Sequence, residues 1–142
     1  MQGYSNNSTW TRGQAWAIYG FTTAYLATGD AGFLTTATRA ADLFLRRLPP
    51  DDVPPWDFNA PPSKPWKDTS AGAAAASGLL QLAAAAGDAS YQEAALGILA
   101  ALAGGYLGSS QGAPQPQLAS ILRAGTANVA EGSWNTGLIY GK

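Results

Sequence analysis

The chain has 142 residues, of which 46% are hydrophobic and 12% are charged, and its formal net charge is -1. It is long enough to bury one core, and the small net charge argues against nucleic acid or an anionic membrane as a partner, because both bind basic surfaces. Cysteine and histidine are absent, so disulfides and a Ser-His-Asp triad are excluded, and we expect no metal site.

Two helices are predicted in the first third of the chain. The first spans about residues 13–27, with Thr9 or Thr11 as its N-cap and Gly29 as the left-handed residue that ends it. The second spans about residues 31–47, begins after the cap residue Asp30 and stops at two prolines. Apolar positions near the helical period are Trp16, Tyr19, Gly20, Thr23 and Leu26 in the first helix and Phe33, Leu34, Ala37, Ala41, Phe44, Leu45 and Leu48 in the second.

A long loop, residues 51–68, separates these helices from a second pair. It carries Trp56, Phe58 and Trp66, and because disordered segments are poor in large aromatic residues, we predict an ordered rim loop.

The second pair of helices is predicted over about 71–85 and about 89–104 or 89–106. Thr69 or Ser70 would cap the third helix, whose small residues permit close approach of neighbours and favour a central position. Beyond the fourth helix, a short apolar piece at 118–122 precedes a second polar loop at 125–133.

Part of the first helix pair recurs 58 positions later. Each copy has two glycines, an aspartate after the second glycine, an aromatic residue three positions further on, and an alanine. The two sets are Gly20, Gly29, Asp30, Phe33 and Ala37, and Gly78, Gly87, Asp88, Tyr91 and Ala95. This repeat indicates stacked helical hairpins, an all-α arrangement in which one hairpin cannot bury its own apolar face.

Aromatic and planar hydrogen-bonding side chains are concentrated near the start of the chain, in Q-G-Y-S-N-N-S-T-W-T-R-G-Q-A-W-A-I-Y at residues 2–19. An aromatic ring can stack on the apolar face of a sugar, while amide and guanidinium groups can bind its hydroxyls or a carboxylate. A structural alternative stands beside this interpretation. Trp16 and Tyr19 could be core residues, and Arg12 could pair with a nearby carboxylate.

Residues 2–20 closely resemble a segment of the unsaturated glucuronyl hydrolases, glycoside hydrolase family 88. Further blocks resemble the family in the same order: W-D-F-N-A-P at 56–61, K-D-T-S-A at 67–71, S-G-L-L-Q-L-A at 77–83 and G-L-I-Y-G at 137–141. The resemblance implies an (α/α)6 toroid of six helical hairpins. Residues 1–142 would supply about two of these hairpins, with long rim loops, as the C-terminal part of a single catalytic domain.

In this family the substrate is an oligosaccharide that ends in a 4,5-unsaturated uronic acid, produced by a polysaccharide lyase. The resemblance implies that an aspartic acid protonates the double bond while water adds, without a metal or an organic cofactor. The two aspartates that the family uses lie upstream of the segment matched by residues 2–20. We therefore expect no catalytic aspartate in this chain, and no hydrolase activity from the chain alone.

Substrate binding is the part of the chemistry that the resemblance carries over to this chain. One group of candidates lies near the first helix, and the others lie in the rim loop and in the 125–133 loop. The candidates are Gln2, Trp10, Arg12, Gln14, Trp16, Trp56, Asp57, Thr126 and Asn128. Asp57 and Asp68 lie in or beside these motifs on the rim loop, and for both the alternative to a substrate contact is a structural role in ordering that loop.

Two other functions stay open at this point. The unsaturated rhamnogalacturonyl hydrolases of glycoside hydrolase family 105 share the toroid and an R-G-x-x-W theme, although the T-W-T-R-G-Q-A-W-A-I-Y-G string and the W-D-F-N-A-P loop favour family 88. The third possibility is a non-catalytic helical-repeat scaffold or carbohydrate-binding fragment. An uronate-containing oligosaccharide is the expected partner for the two enzyme functions.

Overall fold

The computed structural model describes residues 2–108 and 121–138, and within these ranges the chain is all-α. Four α-helices form two successive hairpins: α1 (Thr11–Thr28) with α2 (Ala31–Arg47), and α3 (Thr69–Ala86) with α4 (Ala89–Gly105). A single 3-10 turn, Val129–Glu131, lies in the second polar loop. Most of the 118–122 piece and of the 137–141 block falls outside the described residues.

Both hairpins turn through a glycine followed by an aspartate. Gly29 and Gly87 end α1 and α3 in the left-handed region, with φ of 72° and 68°, where glycine carries no steric penalty. The next residues, Asp30 and Asp88, each accept a hydrogen bond from the N–H two positions on, at 2.8 and 2.9 Å. The predicted repeat of hairpin ends is therefore confirmed.

α3 lies at the centre, as predicted, and contacts all three other helices. Its side chains are mostly small, and Ala71, Ala75 and Ala76 are fully buried. At Gly78 the approach to α1 is closest, because a Cβ there would lie 2.8 Å from the backbone nitrogen of Tyr19. The crossing of α1 and α3 thus depends on the absence of a side chain at this position.

The rim loop is ordered by backbone hydrogen bonds and by one buried aromatic contact. The N–H of Trp56 donates to the Trp66 carbonyl at 2.8 Å, and the N–H of Phe58 donates to the Thr9 carbonyl at 3.0 Å. The Phe58 ring meets the fully buried ring of Phe44 edge-on, with centroids 5.3 Å apart. These contacts fix the loop against the start of α1 and confirm the predicted ordered rim loop.

Helices α1 and α3 begin at residues other than those predicted. The N-cap of α1 is Trp10, not Thr9 or Thr11, and its side chain makes no capping hydrogen bond. The N–H of Thr11 instead donates to the Trp56 carbonyl at 3.2 Å, so the rim loop satisfies an N–H that a capping side chain would otherwise bind. The N-cap of α3 is Asp68 rather than Thr69 or Ser70.

The buried face of α1 also differs from the predicted one. Ala15, Ile18 and Thr22 are fully buried, whereas Trp16 and Leu26 are exposed. Apolar residues occur on several sides of this helix, so the sequence pattern does not define one buried face. Because α3 packs closely against α1, the buried face carries side chains smaller than that of Trp16. No helix in the described ranges has the length and hydropathy needed to cross a bilayer.

Candidate functional site

A groove of about 280 Å³ runs between α1 and α3 beside the N-terminal motif. Its lining residues are Trp16, Tyr19, Ala73, Ala74 and Ser77. Trp16 is 37% exposed and meets the Tyr19 ring edge-on, with centroids 6.1 Å apart. Because α3 contributes only small side chains, the two aromatic rings form most of the wall. An exposed indole beside hydroxyl groups suits a ligand with both apolar and polar faces, such as a sugar.

Arg12 lies beneath the surface rather than in this groove. Its side chain is buried, and Nε donates to Asp68 Oδ2 at 3.0 Å. Nη2 donates to the carbonyl oxygen of Thr126, and the guanidinium lies 5.3 Å from the centre of the Trp10 ring. The structure thus shows the alternative raised from the sequence, in which Arg12 pairs with a carboxylate. The pair joins α1 to the start of α3 and to the second polar loop.

Asp68 is the carboxylate that pairs with Arg12, and the sequence did not predict this pairing. Oδ1 accepts hydrogen bonds from Ser70 Oγ at 2.6 Å and from the Ala71 N–H at 3.4 Å, so the carboxylate caps α3 while it pairs with Arg12. Burial raises the pKa of the Asp68 carboxyl, although the charge of Arg12 and the hydrogen bond from Ser70 act in the opposite direction. An aspartate just before Thr-Ser at a helix start was the available signal for the cap.

Trp56 and Asp57 hold the N-terminal loop in place. Trp56 is buried, and its Nε1 donates to the carbonyl oxygen of Gln2 at 2.7 Å. Asp57 Oδ2 accepts from the Tyr4 N–H at 2.9 Å and from Ser8 Oγ at 2.6 Å. Both side chains thereby fix the N-terminal loop that contains Gln2. Asp57 Oδ1 also accepts from the Asn59 N–H at 2.8 Å within the rim loop, which is the ordering role considered for Asp57.

Three further candidates also bind groups of the protein itself. Gln14 Nε2 donates to the Ala40 carbonyl of α2 at 3.1 Å. Thr126 is fully buried, and its hydroxyl donates to the Lys67 carbonyl at 2.7 Å. Asn128 Oδ1 accepts from the N–H two residues on, at 3.1 Å, and so caps the 3-10 turn. The structure therefore brings the motifs together, but it leaves Trp16 as the candidate whose ring lines the groove.

The described residues contain no candidate metal site. No three side chains of the cysteine, histidine, aspartate and glutamate types are grouped there so as to hold an ion. The groove lining contains no carboxylate.

No protein-family model matches the chain, but several known proteins are similar to it in sequence and structure. The unsaturated glucuronyl hydrolase of Bacillus sp. (strain GL1) is 51% identical over 84 residues, or 58% of this chain and 22% of that protein. Its crystal structure has a TM-score of 0.87 and 38% identity, covering 99% of this chain and 38% of that chain.

Two other solved structures have the same coverage. An unsaturated glucuronyl hydrolase specific for heparin has a TM-score of 0.89 and 33% identity. A mutant of the Streptococcus agalactiae unsaturated glucuronyl hydrolase, complexed with dGlcA-GalNAc6S, has a TM-score of 0.86 and 30% identity. This chain spans 38% of each of these relatives. Its two helical hairpins and their rim loops form part of an (α/α)6 toroid, and the chain belongs to the unsaturated glucuronyl hydrolase family.

Proposed function

We propose that this chain is the sugar-binding part of a glycoside hydrolase that releases 4,5-unsaturated uronic acid from the non-reducing end of lyase-generated oligosaccharides. The observation that carries the proposal is the groove between α1 and α3, where Trp16 stands exposed within the same sequence motif that resembles the glucuronyl hydrolases. No metal or organic cofactor enters the proposed reaction.

The proposed binding mode divides the candidates into two groups. Trp16 and Tyr19, whose rings line the groove, present them to the sugar. Gln2 and Trp10 are kept as proposed sugar contacts on the strength of the sequence motif alone. The remaining candidates support these groups, since their polar atoms bind other parts of the protein. They are Arg12, Gln14, Trp56, Asp57, Thr126 and Asn128.

The proposed reaction is hydration of a vinyl ether. A proton is added to one carbon of the double bond and the oxygen of water to the other, after which the resulting hemiketal opens and the sugar is released. This reaction needs a carboxylic acid that can reach the substrate. Asp68 is buried in an ion pair and Asp57 accepts hydrogen bonds from the rim and N-terminal loops. We therefore propose that the proton donor lies outside this chain.

Turnover by the complete protein that carries this chain tests the proposal. We expect it to cleave an unsaturated chondroitin or heparin disaccharide in preference to an unsaturated rhamnogalacturonan disaccharide. Trp16→Ala should lower kcat/KM by about two- to tenfold, because stacking of an aromatic ring contributes roughly 0.5–1.5 kcal/mol beyond simple burial.

Leu26→Ala is the control, since Leu26 is also an exposed apolar residue of α1 but lines neither of the cavities that Trp16 borders. It should leave kcat/KM within about twofold. Equal losses from the two substitutions would reject the groove as the site. Preferential cleavage of the rhamnogalacturonan disaccharide would assign the protein to the other activity.

A further inference from the structure

Gly13, in the first turn of α1, lies against the indole ring of Trp10. A Cβ at Gly13 would lie 2.8 Å from Cε3, 3.4 Å from Cζ3 and 3.6 Å from Cδ2 of that indole. All three atoms belong to its six-membered ring, which therefore occupies the space that a side chain at position 13 would need. The half-buried Trp10 side chain thus lies across the first turn of the helix that it precedes.

Arg12 provides the second contact of the Trp10 ring. Its guanidinium lies 5.3 Å from the centre of the ring and is itself fixed by the ion pair with Asp68. The indole N–H is buried and has no hydrogen-bond partner among the residues that the structure describes. Packing against Gly13 and Arg12, rather than a hydrogen bond, therefore sets the position of this ring.

The backbone on both sides of Trp10 is bonded to the rim loop. The N–H of Thr11 donates to the Trp56 carbonyl at 3.2 Å, and the N–H of Phe58 donates to the Thr9 carbonyl at 3.0 Å. The Trp10 ring, in contrast, is the far end of a side chain that can rotate. We therefore expect a methyl group at position 13 to displace the ring and to leave the backbone in place.

We propose that Gly13 is a positioning residue of the sugar site: the absence of a side chain there lets the Trp10 ring lie on α1 and sets the orientation in which this ring meets the sugar. The inference rests on the proposed function, in which Trp10 contacts the sugar. A flat ring gains stacking energy only when it is aligned with the apolar face of its partner. Gly13 thus differs from Gly78, where the atoms that block a Cβ most closely belong to a backbone.

Calorimetric titration of the purified chain with an unsaturated glucuronyl disaccharide tests the proposal. Gly13→Ala should weaken binding by about two- to tenfold, because it misaligns one stacking ring. Weaker helix formation would not explain this loss, since alanine is a better helix former than glycine. Trp10→Ala should weaken binding at least as much, and the double variant should bind as Trp10→Ala does, because the methyl group then has no ring to displace.

Gly104→Ala is the matched control. Gly104 lies near the exposed end of α4, and a Cβ there would meet nothing within 4 Å. This substitution should leave the affinity within about twofold of the wild type. Near-ultraviolet circular dichroism of the ligand-free chain should change with Gly13→Ala, and this change should disappear in the Trp10→Ala background. Thermal unfolding checks that each variant is folded at the temperature of the titration.

Two results of the titration would overturn the proposal. The first is an unchanged affinity of Gly13→Ala for the disaccharide, whether or not the near-ultraviolet spectrum changes. The second is a further loss from Gly13→Ala in the Trp10→Ala background, because the glycine would then act through the helix and not through the ring.

Turnover by the complete protein separates this proposal from the proposed hydrolase. Binding that Gly13→Ala weakens through Trp10, without turnover of any unsaturated disaccharide, would support the role of Gly13 and reject the hydrolase. Turnover by the complete protein, with no effect of Gly13→Ala on binding, would do the reverse.

Discussion

Arg12 and Asp68 form a buried ion pair that connects α1, the start of α3 and the second polar loop. Such a pair adds little net stability compared with apolar residues of the same size, because both charges lose their hydration. Removing only one partner destabilises the fold, because the other charge then stays buried without a counter-ion. Both side chains are almost fully shielded from solvent, so we expect this penalty to apply.

The substitution Asp68→Asn isolates the charge, because asparagine is also a good N-cap residue. We expect it to lower the free energy of unfolding by about 3–5 kcal/mol. The control is Asp88→Asn at the exposed N-cap of α4, which should cost less than about 1 kcal/mol. Chemical denaturation of the three proteins measures the difference. Similar small losses in both variants would show that the buried pair does not depend on the Asp68 charge.

At the scale of the helices, the repeat supplies a matched pair of glycines. Gly78 and Gly20 occupy equivalent positions in α3 and α1, but a Cβ at Gly78 meets the Tyr19 backbone at 2.8 Å, whereas a Cβ at Gly20 meets nothing within 4 Å. Gly78→Ala should therefore lower the free energy of unfolding by about 1–3 kcal/mol, through overpacking that the backbone cannot relieve.

Gly20→Ala should instead raise the free energy of unfolding by up to about 1 kcal/mol, because alanine is a better helix former than glycine. Thermal unfolding of both variants beside the wild type measures the two changes. Destabilisation of the same size at both positions would contradict the close crossing of α1 with α3.

The hairpin turns were predictable because local residues set them, whereas the start of α1 was missed because a distant residue sets it. The N-cap of α3, Asp68, was missed although its signal is local. Gly29, Asp30 and their repeats mark the hairpin turns through chemistry within a few positions. The start of α1 instead depends on the Trp56 carbonyl, contributed by the rim loop. No local pattern reports such a contact, which is why Trp10 was not predicted as the N-cap.

For the whole molecule, the motifs predicted the hairpin fold and the family, but not the role of each polar side chain. Arg12 finds its carboxylate 56 residues away, and that pairing exists only after α1 and α3 have packed. The same applies to Trp66 and Trp134, whose rings stack although they come from separate loops. Residue types could suggest sugar binding, whereas burial and partners had to come from the folded chain.

Mixing the purified chain with an unsaturated glucuronyl disaccharide tests the central claim most directly. Calorimetry would follow binding, and the ultraviolet absorbance of the conjugated double bond would follow the reaction. We expect saturable binding that Trp16→Ala weakens, with no loss of absorbance, because the proposed function assigns sugar binding to this chain and places the proton donor outside it. Loss of absorbance catalysed by the chain alone, or the absence of binding by the folded chain, would contradict that claim.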